Sequence, residues 1–537
     1  MGARRRTILY LFLLAACVFI TFGRVVGHGF VNFDDERFIQ QNPDFNPPQW
    51  SKLIRYWRGP YYGGAFPVTY MALGGIAAVA RDANTGQLDP RVFHLVSVAL
   101  HLACVILVFL ILRLLVRDEP AAALGAAVFA VHPLQVECVA WVTNINTLLQ
   151  AVFALAALWA YLVYAMRERD GERGRRVRAP LIISTVAYVL AMLNKPIAVT
   201  LPIVAAAMDV ALVGRHWRKV VAPTVLWLAM AIPVVIAIKL MINQPAVFHS
   251  PLWARPIVAL DAIGFYLVKL VAPTQLTVDY GRSPQWLLAQ PAFAWMWAVA
   301  AAAGVIVLLL RRRAPWLVVA AVAFVAPLLP VLGLVDFHFQ RYSTVADRYV
   351  YVSMLGVAMA IAFVLTRVRR PAVARGAWMV TVVALAAVSI RQSAYWRDTA
   401  TLFTHARDVN PNSFAARGIL GYLARQQGDN VRASDHYLAA LVVYPDDATT
   451  NFNLARVLVD LGQFDRAIRH FERALAAKPD DPQFRNNYGV ALFRAGRRDE
   501  AVVQLEAVLA KNPGFVDAAK NLAIVRASPP PASQPVP

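Results

Sequence analysis

Apolar segments of near-spanning length recur along most of this chain, and they decide what it can fold into. They lie at about 7–22, 94–116, 120–136, 143–166, 180–193, 196–213, 219–241, 291–310, 315–334, 348–366 and 374–391. Roughly 20 apolar residues cross a bilayer as a helix. Backbone in lipid must satisfy its own hydrogen bonds, so the expected fold is an all-α polytopic bundle of about eleven spans. Composition agrees: 59% of the 537 residues are hydrophobic and 16% charged, against about 45–50% and about 25% in soluble domains. Cys17, Cys104 and Cys138 sit in apolar segments and read as small hydrophobes, with neither disulfide framework nor metal-site spacing.

The net charge of +21 is unevenly placed. Arg113 and Arg117, the run at 167–178, the cluster at 215–219, Arg311–Arg313 and the run at 367–375 fall on alternate connections. Basic loops between spans mark the cytoplasmic side, and they argue against a nucleic-acid surface. The first segment follows MGARRR without a small-x-small cleavage site, so it reads as a retained signal anchor with a cytoplasmic N-terminus. Residues 66–80 and 255–272 are apolar but break this parity if counted as spans; interfacial or re-entrant elements are expected there. Ala/Arg/Val-rich composition points to a GC-rich bacterial genome, hence an inner membrane and a periplasmic C-terminus. An endoplasmic reticulum location fits the topology equally.

A different architecture begins near residue 401. Pro411, Pro445, Pro479 and Pro513 are spaced by 34 residues, as are Gly428, Gly462 and Gly496, and Ala433, Ala467 and Ala501. Gly421, Ala455, Gly489 and Ala523 keep the same period. That is the tetratricopeptide signature: small residues let paired helices approach, glycine opens the turn and proline stops the second helix. The expected organisation is a membrane domain over 1–400, three repeats with a capping helix over 401–527, and a disordered tail at 528–537. Such solenoids carry no chemistry of their own and bind peptides or partner helices.

Charged residues at membrane boundaries are the candidates for chemistry, because a charge costs roughly 2.5–3.5 kcal/mol at the bilayer centre on insertion scales. Four clusters fall at external helix ends. Asp34 and Asp35 follow the first span, as a general base, a metal-ligand pair or a helix cap. In HPLQVECVAWVTN, the spacing predicts that Glu137, Trp141 and Asn144 share one helical face, which suits sugar recognition or an interhelical contact. Lys195 in LNKPIAVTLP is a functional cation or a snorkelling anchor. Asp336, His338, Arg341, Asp347 and Arg348 precede a further span; if helical, Arg341 and Arg348 share a face and clamp an anionic phosphate, the alternative being an aromatic belt with paired charges. No Gly-rich phosphate loop or nucleophile elbow is present, which excludes a soluble nucleotide enzyme.

FVNFDDERFIQQNP, HPLQVECVAWV, LNKPIAVTLP, TQLTVDYG and ADRYVYVSMLG, followed by the repeats, occur in the order of one family. The chain resembles the transmembrane and tetratricopeptide-repeat-containing O-mannosyltransferases over roughly residues 25–360 and the repeats. The resemblance implies a GT-C glycosyltransferase fold. It further implies transfer of a sugar, mannose in the family, from a polyprenyl-phosphate donor to a protein Ser/Thr or other hydroxyl on the external face. In that reading Asp34 or Asp35, with Asp35 favoured, is the general base, and Arg348 stabilises the leaving phosphate with Arg341 or Lys195. His132, Glu137 and Trp141 bind or orient substrate, and the repeats take a protein or peptide acceptor. No cofactor is expected; a divalent metal, if used, belongs at the acidic pair. The chain has Asn144 and Asn146 where relatives often carry charge, and few repeats beside the animal members. A glycan acceptor, or a non-catalytic scaffold that binds partners through its repeats, are the alternatives.

Overall fold

A computed structural model of the chain describes residues 2–59, 66–241, 250–291 and 295–528. It forms two compact units, Met1–Leu402 and Phe403–Pro537. The described residues are helical, with only two isolated β-bridges. Of the expected tail, all but Ser528 lies outside the described residues.

Among the described residues of the first unit, seven helices are long and apolar enough to cross a membrane: Arg4–Gly27, Pro90–Val116, Val142–Arg169, Arg175–Asn194, Pro196–Val213, Trp217–Ala237 and Pro371–Ala394. A bent pair, Glu119–Val131 with Pro133–Ala140, makes an eighth. Eleven spans were expected, and the other three apolar segments form shorter helices. Pro315–Val325 gives way to a 3-10 stretch because Pro327 and Pro330 cannot supply the helix's amide hydrogens. The segment from 348 opens with a 3-10 turn and becomes helical only over Met354–Leu365. The third is Met296–Leu310. The two expected non-spanning elements are helices of 14 and 17 residues, Pro67–Ala80 and Arg255–Val271. Glycine allows the closest helix contacts: a Cβ on Gly125 would strike the Ala358 carbonyl, and one on Gly356 the Ala320 carbonyl.

The end of this unit where the first helix begins gathers basic residues onto a few acids. Glu119 pairs with Arg113 and Arg6, and Asp118 with Arg375. Deeper in, Arg215 is buried against Asp209, Glu168 and the Tyr164 ring; its Nε donates to Asp209 Oδ1 at 2.8 Å, and Tyr161 donates to Asp209 Oδ2 at 2.7 Å.

In the second unit, helix pairs follow the 34-residue period. Gly428, Gly462 and Gly496 adopt φ of +79°, +73° and +81°, a turn that favours glycine. Ser413, Asp447 and Asp481, also one period apart, cap the first helix of each pair by accepting from its backbone N–H groups. Ala433, Ala467 and Ala501 are fully buried, and a Cβ on Gly421 would strike the Tyr437 ring. The small residues are thus where the paired helices meet.

Candidate active site

The site is assembled from helix breaks at the end opposite the Arg215 cluster. Glu119–Val131 stops at His132 because the residue before a proline is pushed out of the helical region, and His132 is extended. The chain bends by 54° and resumes as Val136–Ala140. His132 Nδ1 accepts from Leu134 N at 3.2 Å while Nε2 faces the Leu270 carbonyl at 3.2 Å, so the neutral tautomer with Nε2–H satisfies both. Buried and engaged on both nitrogens, His132 holds the break between the two helices.

The helix ends again at Ala140. Trp141 is extended and Val142–Asn144 form a 3-10 turn before Ile145–Arg169. Glu137, Trp141 and Asn144 therefore do not form one helical stripe; they converge by a break, with Asn144 Nδ2 donating to the Glu137 carbonyl at 3.3 Å. Trp141 is 3% exposed, stacks on Trp396, meets the tilted ring of Phe33, and leaves its buried Nε1–H unpartnered.

That break also receives the acidic pair. Asp35 is fully buried: Oδ1 accepts from Thr143 N at 2.9 Å and Thr143 Oγ1 at 2.5 Å, and Oδ2 from Val31 N at 3.0 Å. Three donors fill most of the roughly four acceptor positions of a carboxylate. Burial lifts its pKa to about 6 against the pull of those donors. Asp35 thus pins the first loop to the Thr143 turn, which leaves Asp34 the less engaged member of the acidic pair. Asp34 is half-buried; burial raises its pKa while Arg348 and Arg37 pull it down.

Arg341 and Arg348 lie in separate 3-10 turns, His338–Arg341 and Asp347–Tyr349, with extended Ala346 between them. The shared helical face is therefore absent. Arg341 stacks on Tyr342, 4.3 Å from the ring centroid. Arg348 holds the centre: Nη1 donates to Glu137 Oε1 at 2.6 Å, and its backbone N to Oε2 at 3.1 Å. The guanidinium lies over Phe339 at 4.3 Å, Tyr349 at 4.9 Å and Trp141 at 5.6 Å. Beside it, Tyr280 donates to Asp347 Oδ1 at 2.7 Å, and burial together with Glu137 pushes the Asp347 carboxyl up.

Lys195 is extended ahead of Pro196, between two helices, and Nζ donates to Thr147 Oγ1 at 2.9 Å. Burial lowers its pKa to about 8, with Arg348 acting in the same direction. Lys195 and Arg348 together line a narrow cleft of about 20 Å³ with Thr147, Gln150, Tyr349 and Tyr351. Asp34 does not line this cleft but feels the charge of Arg348. Two cations thus face a mostly apolar cleft while a carboxylate approaches one of them from outside it. Among the described residues, no group of three or more His, Cys, Asp or Glu could hold a metal. Thr143, Tyr280 and Thr147 escaped the sequence reading because single hydroxyls carry no spacing signal; only TQLTVDYG flagged Tyr280.

Two tetratricopeptide-repeat family models match residues 412–480 and 452–514. The chain is 23% identical over 480 residues to the protein O-mannosyl-transferase TMTC3 of Mus musculus, covering 81% of this chain and 51% of that protein. It is 30% identical over 198 residues to the protein O-mannosyl-transferase Tmtc2 of Drosophila melanogaster, covering 36% of this chain and 20% of that one. The chain spans about half the length of the first of these curated relatives. ArnT from Cupriavidus metallidurans, crystallised with undecaprenyl phosphate, superposes with a TM-score of 0.42 and 11% identity over 90% of this chain and 81% of ArnT.

Proposed function

We infer that this chain, a homologue of the tetratricopeptide-repeat-containing protein O-mannosyl-transferases, is a membrane glycosyltransferase of GT-C type. It moves a sugar, mannose by the names of its relatives, from a polyprenyl-phosphate carrier to a hydroxyl at the end read as external. The observation that carries the reading is the pairing of Lys195 and Arg348 at one cleft, with Asp34 beside Arg348 and outside that cleft.

The chemistry follows from this placement. The donor phosphate sits against the two cations. Asp34 takes the proton of the acceptor hydroxyl as its oxygen bonds to the anomeric carbon. The bond from that carbon to the phosphate oxygen breaks, and its electron pair stays on the phosphate, whose growing charge Arg348 and Lys195 stabilise. A single displacement inverts the anomeric carbon. Glu137 keeps Arg348 in place by holding both its side chain and its backbone N–H.

The test is transfer of radiolabelled mannose from polyprenyl-phosphate mannose to acceptors in membranes containing the protein. Label in a hydroxyl-linked product is expected. No transfer from mannose, glucose or N-acetylhexosamine carriers would overturn the reading in favour of a scaffold.

A further inference from the structure

The loop that carries Asp34 has no regular structure between His28 and Asp34, so its position is set by what it is tied to. Phe33 N donates to the Val31 carbonyl at 2.8 Å, which closes the turn without anchoring it. The anchors lie on either side of Asp34. On the C-terminal side, Asp35 is bonded to Thr143. On the N-terminal side, Asn32 N donates to Thr399 Oγ1 at 2.8 Å, across 367 residues of sequence. Gly29 N donates to the Arg397 carbonyl at 3.0 Å in the same distant segment, and His94 Nε2 faces the Gly29 carbonyl at 3.2 Å.

That distant segment is the turn between the helices Pro371–Ala394 and Thr399–Val409. Asp398 serves the first turn of the second helix, accepting from Thr401 N at 2.8 Å and from Thr401 Oγ1 at 3.0 Å. The Thr399 hydroxyl is therefore not spent on its own helix and accepts the Asn32 N–H, a main-chain donor that needs a partner where it is withdrawn from water. The same turn reaches the loop by a second route. Trp396, 2% exposed, stacks on Trp141 with ring centroids 5.9 Å apart, and the Phe33 ring, next in sequence to Asp34, lies 5.3 Å from Trp141. The Arg348 guanidinium lies over that same indole at 5.6 Å.

We propose that Thr399 and Trp396 are positioning residues for Asp34: Thr399 fixes the loop backbone two residues before the carboxylate, and Trp396 fixes the indole on which Phe33 and Arg348 rest. The proposal rests on the transferase reading above, with Asp34 as the base. A base on an irregular loop transfers a proton efficiently only where both flanks of the loop are held, because a misplacement of about 1 Å can cost about 10²-fold in rate. Thr143 holds one flank and Thr399 the other, so loss of the Thr399 hydroxyl leaves Asp34 swinging from a single anchor. The donor's phosphate, placed on Arg348 and Lys195, is held without Thr399. The strap therefore governs kcat and leaves donor KM alone.

Transfer kinetics and amide hydrogen exchange on the full-length protein in detergent test it, with Thr399→Val, Thr399→Ser, Trp396→Leu and Thr401→Val beside wild type and Asp34→Asn, all normalised to folded protein. Valine keeps the branched shape and removes the acceptor. Thr399→Val is expected to lower kcat by about 10–10²-fold with the KM for polyprenyl-phosphate mannose unchanged, and Trp396→Leu to lower kcat in the same way. Thr399→Ser, which restores the acceptor, recovers turnover. Thr401→Val disturbs the same turn without touching the loop and keeps wild-type kcat. The amides of residues 29–35 exchange faster in Thr399→Val and as in wild type in Thr401→Val. Wild-type kcat or unchanged exchange in Thr399→Val, no recovery by serine, or an equal loss in Thr401→Val would each overturn the proposal while an active wild type and an inactive Asp34→Asn keep the transferase reading. A wild type that transfers no label from any carrier fails that reading, and the proposal with it.

Discussion

The two ends of the membrane-embedded unit each bury an arginine on a carboxylate, in opposite states of completion. Arg215, 1% exposed, has two carboxylates, with a tyrosine hydroxyl on one of them and an aromatic ring against its face. Arg348, 10% exposed, has one, Glu137, and borders a cleft it shares with Lys195, with Asp34 nearby. A saturated buried pair holds structure and offers nothing to a ligand. An arginine with one carboxylate, next to a second cation, is poised for an anion. Burial of charge alone therefore does not mark a site; the balance of partners does.

Replacing both members of each pair by apolar residues of similar size should separate them most widely. Glu137→Leu with Arg348→Met is expected to lose about 10²–10³-fold in turnover, the usual cost of removing transition-state charge stabilisation. Asp209→Leu with Arg215→Met should keep turnover per folded molecule and shift stability by no more than about 1–4 kcal/mol in either direction. Radiolabel transfer normalised to folded protein checks both, and equal losses at the two ends would break the contrast.

Asp35 sharpens it on the stability side. Its carboxyl is raised to about 6 in the fold against an ordinary 3.8. Between those values the folded state binds more protons, so stability should fall as pH rises from about 4 to 6 and level off above. Asp35→Asn places an amide N–H against Val31 N–H, costing about 1–3 kcal/mol, and flattens that slope. Thermal unfolding between pH 4 and 7 reads both, and an unchanged melting temperature would contradict the pinning role. The smallest effect belongs to Lys195. With its pKa near 8, donor KM should rise above pH 8 as the ammonium is lost. Lys195→Arg should remove that limb, and a limb that persists assigns it elsewhere.

Much of this was legible in the sequence, for physical reasons. The 34-residue period reappears as turns at Gly428, Gly462 and Gly496 and caps at Ser413, Asp447 and Asp481, because it is local chemistry repeated. The parity of basic loops predicted that Asp35, Glu137, Lys195 and Arg348 share one end, and Asp35 meets Thr143 there while Glu137 meets Arg348. Helical spacing failed at Trp141 and between Arg341 and Arg348, where extended residues interrupt the period. The choice between Asp34 and Asp35 was hidden for a different reason. The proposed choice rests on Thr143, 108 residues away, which bonds Asp35, and no local pattern encodes which carboxylate that turn will claim.

That choice is the centre of the account. The measurement is the turnover of Asp34→Asn and Asp35→Asn, made singly, with polyprenyl-phosphate mannose as donor and melting temperatures taken on the same preparations. Asp34→Asn should lose about 10²–10⁴-fold in kcat with its melting temperature unchanged, while Asp35→Asn melts lower and stays active when folded. Wild-type turnover in Asp34→Asn, with activity lost in a fully folded Asp35→Asn, would contradict it.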